Sequence, residues 1–191
     1  MPDNWIPDDL DTANVPLTAW EFIYSNGGWL ESGSGPGSTV ANTSELITWL
    51  TAFINANSCT SILDAGCGDM QWIPQVLTDI TYTGIDWVSS ICNNNKTSYE
   101  GHTFLEQDIT DSSFSNSNTY DIIICKDVLH HAYDDADQII NNIENISATH
   151  KIFIVPTTLQ FSFNDKITEA GYTLTHTYTG DEEKDIYVKS T

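Results

Sequence analysis

The fold of this chain is most constrained by ten residues, Ser61–Met70, which read SILDAGCGDM. A short apolar strand ends at Asp64, and two glycines, Gly66 and Gly68, follow it before a second acid. Apolar residues at helical spacing come next, at Trp72, Ile73, Val76 and Leu77, and they predict a helix. Because glycine has no Cβ, backbone N–H groups at such a turn can approach a ligand closely. The stretch therefore predicts a strand–turn–helix unit with a ligand beside the turn.

Strand and helix patterns alternate through the rest of the chain. Further strands are predicted at 81–86, 102–107, 120–125, 151–155, 172–178 and 185–189, and helices at 17–26, 43–55, 87–96 and 161–170, with one more after Asp134. Asn42, three residues before Glu45, resembles a helix-capping arrangement. The alternation predicts an α/β fold: a single domain with a mostly parallel seven-stranded sheet, a C-terminal antiparallel hairpin and helices on both faces.

The charge balance bears on which partners the chain can bind. The 191 residues include 27 acids against six lysines and no arginine, which gives a net charge of −21. Nucleic acids and anionic membranes are normally bound by clustered Lys and Arg. We therefore expect neither partner, and we attribute the acidic excess to solubility or salt adaptation.

The four cysteines and the N-terminus bear on the compartment. Cys59, Cys67, Cys92 and Cys125 form no Cys-x-x-Cys pair, which indicates reduced thiols. The first residues show no secretory pattern, and no apolar run is long enough to span a bilayer. We expect a soluble cytoplasmic protein.

Acidic residues recur where the predicted strands end. Asp64, Asp86 and Asp108 follow three strands, and Lys126 with Asp127 follows a fourth. Core packing does not explain acids at these places. In an open α/β sheet, ligands bind outside the carboxyl ends of the strands. The sequence thus predicts one acidic site at that edge of the sheet.

The order and spacing of these segments resemble the class I, Rossmann-like, S-adenosylmethionine-dependent methyltransferases. The resemblance rests on LDAGCGD at 63–69, YTGID at 82–86, EQDI at 106–109, YDIIICKDVLHH at 120–131 and EAGY at 169–172. It covers about three quarters of the chain and implies S-adenosyl-L-methionine as the cofactor. One departure is Met70, which replaces the third glycine of the longer glycine-rich pattern.

The resemblance also implies which residues bind the cofactor. The turn residues Asp64, Ala65, Gly66, Cys67 and Gly68 would line its methionine and ribose parts. Asp86 would accept hydrogen bonds from the ribose hydroxyls, with Trp87 against the adenine. Asp108 would meet the adenine amino group and Ile109 its face, with Gln107 close by. Lys126 would lie near the methionine end.

Candidates for a catalytic base are Asp127, His130 and His131, because they follow the fourth strand. A base is needed only where the acceptor must lose a proton, and a histidine can take one near neutral pH. The two histidines can equally be packing residues. We expect no metal, because these three side chains are too few for a complete ligand set.

A nicotinamide-binding domain is the main alternative to a methyltransferase, since Asp86 could bind the ribose of either cofactor. Dinucleotide sites use a third glycine for close packing of helix on strand, and here that glycine is absent. A pyrophosphate would also face Asp64 and Asp69, whereas a sulfonium cation suits an acidic pocket. These residues favour the methyltransferase. A catalytically silent cofactor-binding module, with a regulatory or assembly role, stays open.

The acceptor is not determined by the sequence. The Asn/Asp-Pro-Pro-aromatic motif of amino-methyltransferases is missing, and a small molecule, a sugar or a basic peptide remains. Residues 1–40, with Trp5, Trp20, Trp29 and a Gly-rich loop, precede the core domain at 41–191. We expect this arm either to close the pocket as a lid or to pack structurally. Its Gly-rich loop is either a flexible connector or a ligand contact.

Overall fold

A seven-stranded sheet is the centre of the structure, a computed structural model that describes residues 15–27, 29, 33–157 and 163–191. The strand order is β3-β2-β1-β4-β5-β7-β6. The strands are β1 (Ser61–Ala65), β2 (Thr81–Asp86), β3 (Thr103–Glu106), β4 (Thr119–Lys126), β5 (Ser147–Pro156), β6 (Thr173–Thr179) and β7 (Glu183–Ser190). The first five are parallel, and β7 pairs antiparallel with both β5 and β6. The predicted fold class is confirmed.

Five α-helices surround the sheet in the described part of the chain. They are α1 (Leu17–Ser25), α2 (Ser44–Asn57), α3 (Ser89–Ser98), α4 (Ala136–Glu144) and α5 (Asn164–Glu169). Each lies within a few residues of a predicted helix. None of these helices is long and apolar enough to cross a membrane.

Alternate residues of the central strands supply two separate cores. On one face, Ile122 and Ile124 of β4 pack in a cluster with Leu46 and Leu50 of α2. On the other face, the intervening Ile123 joins the cluster that contains residues of α4 and α5. Strands buried on both faces read as continuous apolar runs, which is the pattern seen along β4.

The direction in which strands are added reverses between β1 and β4. The chain places β2 and β3 on one side of β1, and it places β4 and then β5 on the other. Asp64 of β1 pairs with Ile124 of β4, so the carboxyl ends of the two strands lie side by side. Such a reversal opens a crevice at that edge, where ligands of α/β sheets bind.

Two local predictions were wrong. The segment after the Gly-x-Gly turn forms only a short 3₁₀ turn, Ile73–Val76, instead of an α-helix. Met70 takes a left-handed conformation with φ of 63°, and Pro74 lacks the N–H that a longer helix needs. Asn42 does not cap α2, because its amide donates to the carbonyl of Pro36 and the residue at the cap is Thr43.

Some predictions fall outside the described residues. These are the part of the N-terminal arm up to residue 14, including Trp5, and residues 161 and 162 of the predicted helix at 161–170. Gly28 and residues 30–32, which precede the Gly-rich loop or begin it, also lie outside them.

Candidate active site

An open cavity lies at the reversal point of the sheet. Its walls come from the turn after β1, from the ends of β2, β3 and β4, and from the N-terminal arm. Every residue predicted to bind the cofactor lines this cavity except Ala65, whose backbone adjoins it in sequence and whose side chain is fully buried. The tertiary structure therefore brings together side chains that are up to 62 positions apart, from Asp64 to Lys126.

The Gly-x-Gly turn is shaped by contacts on both sides. Gly66 has φ of 84°, and a Cβ there would lie 2.3 Å from Cγ2 of Val128. The backbone N–H of Gly68 donates to Oδ2 of Asp86 at 3.0 Å, which ties the turn to the end of β2. The close approach of Val128 to the turn thus requires a glycine at position 66.

Gly66→Ala is expected to lose more stability than Gly101→Ala. Both positions have positive φ, which costs an L-residue roughly 1–2 kcal/mol. Only the first adds a clash, because no atom lies within 4 Å of a Cβ at Gly101. Overpacking typically adds about 1–3 kcal/mol. Urea unfolding of the two variants measures the difference, and equal losses would contradict this account of the turn.

Asp86, at the end of β2, is held in place by backbone donors. Its Oδ1 accepts the N–H of Val88 and its Oδ2 accepts that of Gly68, each at 3.0 Å. Burial raises the pKa of Asp86 above its ordinary value, although these hydrogen bonds oppose the shift. The carboxylate keeps lone pairs for a further donor, because each oxygen can accept two hydrogen bonds.

Two further acceptors follow β3. Oδ1 of Asp108 accepts from both the N–H and the hydroxyl of Thr110. Oε1 of Gln107 is buried and has no hydrogen-bond partner in the described part of the chain. A buried polar atom without a partner is costly, so an unpaired acceptor in a cavity points to a ligand donor.

Asp64 lies at the floor of the cavity and is only 2% exposed. The hydroxyl of Tyr82 donates to its Oδ2 at 2.9 Å. Burial raises the pKa of Asp64 to about 7, against the opposing effects of Tyr82 and Lys126. Its carboxyl group therefore changes charge near neutral pH.

Asp127 is the centre of a buried ion cluster at the end of β4. Its Oδ2 contacts Nζ of Lys126 and lies 2.8 Å from Nζ of Lys184, which reaches in from β7. Burial alone would raise the pKa of Asp127, but the two lysines outweigh it and hold the pKa below its usual range. The residue has φ of 56°, a conformation that non-glycine residues rarely adopt.

The two histidines after β4 are placed differently. His131 lines the cavity, and its ring lies 5.0 Å from that of Trp20 and 5.6 Å from that of Trp29. His130 lies behind it and does not line the cavity, and burial of its imidazole lowers its pKa well below the ordinary value. Of the three candidate bases, Asp127 and His131 face the cavity. Their roles stay predictions.

The described part of the arm is bonded to the sheet edge at several points. Ser34 donates to Asp69 through both its N–H and its hydroxyl, and the N–H of Asp69 donates back to the hydroxyl of Ser34 at 3.0 Å. Glu21 accepts from the N–H of Ser89 and the hydroxyl of Ser90 at the start of α3. Where it is described, the Gly-rich loop therefore lies against the turn after β1, and its Ser34 and Ser38 line the cavity.

Sequence reasoning missed several residues of the site. Tyr24, Ser34 and Ser38 of the arm and Trp72 after the turn all line the cavity. The Gly-rich pattern and the tryptophans were the signals that pointed to the arm. Lys184 gave no signal in the sequence, because its contact with Asp127 joins residues 57 positions apart.

Comparison with known proteins identifies the family. The profile of the methyltransferase domain family matches residues 56–187, more than half of the chain. The chain belongs to this family. The match confirms the predicted class I methyltransferase and, with it, S-adenosyl-L-methionine as the cofactor. No curated protein sequence matches the chain.

Solved structures with the same fold are distant in sequence. Magnesium protoporphyrin IX methyltransferase from Synechocystis, with bound S-adenosylmethionine, is 19% identical at a TM-score of 0.66, covering 97% of this chain and 98% of that one. A 1,6-didemethyltoxoflavin-N1-methyltransferase from Burkholderia thailandensis, with bound 1,6-didemethyltoxoflavin and S-adenosylhomocysteine, is 12% identical at a TM-score of 0.66, covering 92% of this chain and 86% of that one. An rRNA methylase from Escherichia coli is 17% identical at a TM-score of 0.61, covering 92% of this chain and 75% of that one.

Proposed function

We propose that this chain is a cytoplasmic enzyme that transfers a methyl group from S-adenosylmethionine to a small-molecule acceptor. One observation supports this above the others: the predicted cofactor residues line a single cavity at the reversal point of the sheet. Among the described residues, five aspartates line it, at 64, 69, 86, 108 and 127, against one lysine, Lys126. Such a lining favours a cation over a pyrophosphate.

The residues at the ends of β2 and β3 fit the nucleoside part of the cofactor. We assign the remaining lone pairs of Asp86 to the ribose hydroxyls and place Trp87 and Ile109 against the adenine faces. Asp108 meets the adenine amino group, and the unpaired Oε1 of Gln107 supplies a second acceptor there. These donors and acceptors match a nucleoside whose polar edge consists of hydroxyl and amino groups.

The turn after β1 and the end of β4 fit the methionine part. Lys126 is the lysine that lines the cavity, and it provides the positive charge for the methionine carboxylate. Its Nζ also donates to the carbonyl of Gly37, so the same group links the arm to the site. Asp64 provides the negative charge for the methionine ammonium.

Methyl transfer requires little of the protein beyond alignment of the donor and the acceptor. When bound, S-adenosylmethionine supplies a methyl group that the sulfonium has already activated. The protein holds donor and acceptor in line and keeps water out. We assign the second task to residues 1–40 as a lid over the domain at 41–191, because Trp20, Tyr24 and Ser34 of this arm line the cavity.

The acceptor class rests on charge and on the fold's relatives. The Escherichia coli relative is titled an rRNA methylase, so the fold itself does not exclude RNA. With 27 acids and no arginine, however, this chain lacks the means to neutralise phosphates. The porphyrin and toxoflavin enzymes support a small molecule. A sugar or a basic peptide is the next choice.

We base the proposed cytoplasmic location on the reduced state of the cysteine thiols. All four cysteines are free and buried, which suits a reducing compartment.

Calorimetry with S-adenosylmethionine and S-adenosylhomocysteine tests the cofactor assignment. Tritiated methyl transfer into a small-molecule library then tests the activity. Absence of heat with both compounds would overturn the proposal. Binding without transfer into small molecules, followed by transfer into a basic peptide or an oligonucleotide, would overturn the acceptor class. Family membership favours the enzyme over a silent binding module.

Cofactor affinity is expected to rise with pH up to about 7 and then to level off. In the free protein the pKa of Asp64 is raised to about 7, and a bound ammonium beside it favours the charged form. Below that pH, binding must release a proton, which costs about tenfold in affinity for each pH unit. Calorimetry at pH 6.5 in two buffers of different ionisation enthalpy measures the released proton.

Asp64→Asn provides the control for this prediction, since it removes the titrating group and keeps an oxygen for the hydroxyl of Tyr82. Its affinity should be low and nearly independent of pH. The folded pKa of Asp64 lies above the unfolded one, so its contribution to stability falls as pH rises from about 4 towards 7. The Asn variant should therefore be more stable than the wild type at neutral pH. A variant with the wild-type pH profile would refute the role of Asp64.

A further inference from the structure

Ser34 of the Gly-rich loop uses every hydrogen-bonding position of its hydroxyl group. The hydroxyl donates to Oδ1 of Asp69 at 2.6 Å, and the N–H of Asp69 donates back to it at 3.0 Å. The hydroxyl of Tyr24 lies 2.9 Å away, and burial raises the pKa of Tyr24, so this group keeps its hydrogen. Because a hydroxyl has one hydrogen and two lone pairs, Tyr24 must donate the third bond. Ser34 therefore joins helix α1 to the residue that follows the Gly-x-Gly turn.

Two glycines allow the loop and the turn to approach this closely. Gly33 has φ of 59°, and a Cβ at this position would lie 1.7 Å from Oδ2 of Asp69. Gly68 has φ of 53°, and a Cβ there would lie 2.3 Å from the hydroxyl oxygen of Ser34. A side chain at either position would displace the group that makes the contact. Both segments are therefore suited in sequence to the contact between Ser34 and Asp69.

This contact adjoins the residue that orients Asp86. The N–H of Gly68 donates to Oδ2 of Asp86, the carboxylate assigned to the ribose hydroxyls. The buried side chain of Asn95 donates to the carbonyl of Gly68 at 2.8 Å. Ser34 fixes the next N–H along the chain, that of Asp69. These bonds hold the turn in one conformation, so that the carboxylate of Asp86 is oriented before the cofactor binds.

A second attachment holds the same loop to the other side of the reversal point. Nζ of Lys126, at the end of β4, donates to the carbonyl of Gly37 at 3.0 Å. Lys126 is assigned to the methionine carboxylate of the cofactor, and both Lys126 and Asp69 line the cavity. The loop is thus bonded to two residues that also face the proposed cofactor site.

We propose that Ser34 is a positioning residue for the cofactor, which acts through Asp69 and the Gly-x-Gly turn to orient Asp86 towards the ribose. This inference rests on the proposed methyltransferase function and adds the arm to its cofactor site. Coupling between two sites is reciprocal, so cofactor binding in turn holds the loop against the turn. An arm that only packs against the domain would show no such coupling.

Calorimetry with S-adenosylhomocysteine compares Ser34→Ala with a matched control. Alanine removes the hydroxyl, and we expect the affinity to fall about tenfold, which corresponds to about 1.4 kcal/mol. The control is Ser113→Ala. Ser113 also donates to an aspartate, Asp111, through both its N–H and its hydroxyl, but at an exposed site. This variant should bind S-adenosylhomocysteine as the wild type does.

Gly33→Ala breaks the same contact from the loop side and should lower the affinity as Ser34→Ala does. Its matched control is Gly101→Ala. Gly101 also has a positive φ, of 96°, but no atom lies within 4 Å of a Cβ there. The control should keep the wild-type affinity.

A double-mutant cycle tests whether Ser34 acts through Asp69. In the Asp69→Ala background, Ser34→Ala should change the affinity by less than about threefold, because the carboxylate that the hydroxyl binds is gone. An equal loss in both backgrounds would overturn the route through Asp69.

Hydrogen exchange of the wild type tests the reciprocal effect without any substitution. The N–H of Ser34 donates to Oδ2 of Asp69, so its exchange rate reports how often the loop leaves the turn. Saturating S-adenosylhomocysteine should slow this exchange about tenfold, the factor by which Ser34→Ala weakens binding. An unchanged rate would overturn the coupling.

Each outcome decides the question. Equal affinities of Ser34→Ala and the wild type would overturn the positioning role. If this variant and Gly33→Ala do not fold, the exchange rate in the wild type decides alone. If neither S-adenosylmethionine nor S-adenosylhomocysteine binds the wild type, the proposed function itself fails. That result differs from binding that Ser34→Ala leaves unchanged.

Discussion

Asp86→Ala is expected to lower the affinity for S-adenosylmethionine by about 100-fold or more. The carboxylate is assigned to both ribose hydroxyls, and a hydrogen bond to a charged group contributes about 1.5–3 kcal/mol. Losing two of them removes about 3 kcal/mol at the least, which is about 100-fold. Calorimetry with S-adenosylmethionine and S-adenosylhomocysteine should show the same loss, because both contain the ribose.

Asp86 also supports the protein itself, so the variant needs controls. Its oxygens accept the N–H groups of Gly68 and Val88, and alanine removes both bonds. Asp86→Asn keeps one acceptor oxygen and should lose less affinity than alanine. Asp111→Ala changes an exposed aspartate of the loop after β3 and should bind normally. If Asp86→Ala folds and binds the cofactor as the wild type does, the assignment of this site is wrong.

Lys184→Met is expected to cost about 3–5 kcal/mol of folding free energy, because it leaves the charge of Asp127 incompletely paired. The side chain of Lys184 is 3% exposed, and its Nζ lies 2.8 Å from Oδ2 of Asp127. Breaking a buried pair by removal of one partner costs far more than the pair contributes by itself. Urea unfolding at neutral pH measures the loss.

Lys166→Met is the matched control for this change. Lys166 also pairs with an aspartate, Asp137, but the two side chains are 37% and 68% exposed. An exposed pair contributes about 0–1 kcal/mol, since water and salt screen it. Similar losses for the two variants would contradict the idea that the cluster around Asp127 is a buried charge network.

Most of the sheet could be predicted from the sequence because its signals are local. The apolar run along β4, the acids at or just after the ends of β1, β2 and β3, and the Gly-x-Gly turn each lie within a few residues. The acids then predicted the edge of the sheet at which the cavity lies. The α-helix that the apolar spacing predicts after the turn does not form, because Pro74 and the left-handed conformation of Met70 outweigh that spacing.

The sequence by itself determined the α/β fold class, the acidic residues at the strand ends and the methyltransferase class. These depend on periodicity and on residue types at strand ends, which short segments contain. Only the tertiary structure decided that Ser34 is bonded to Asp69 and that Lys184 reaches Asp127. Those contacts join segments 35 and 57 positions apart. No local pattern records such pairings, because packing of the whole chain creates them.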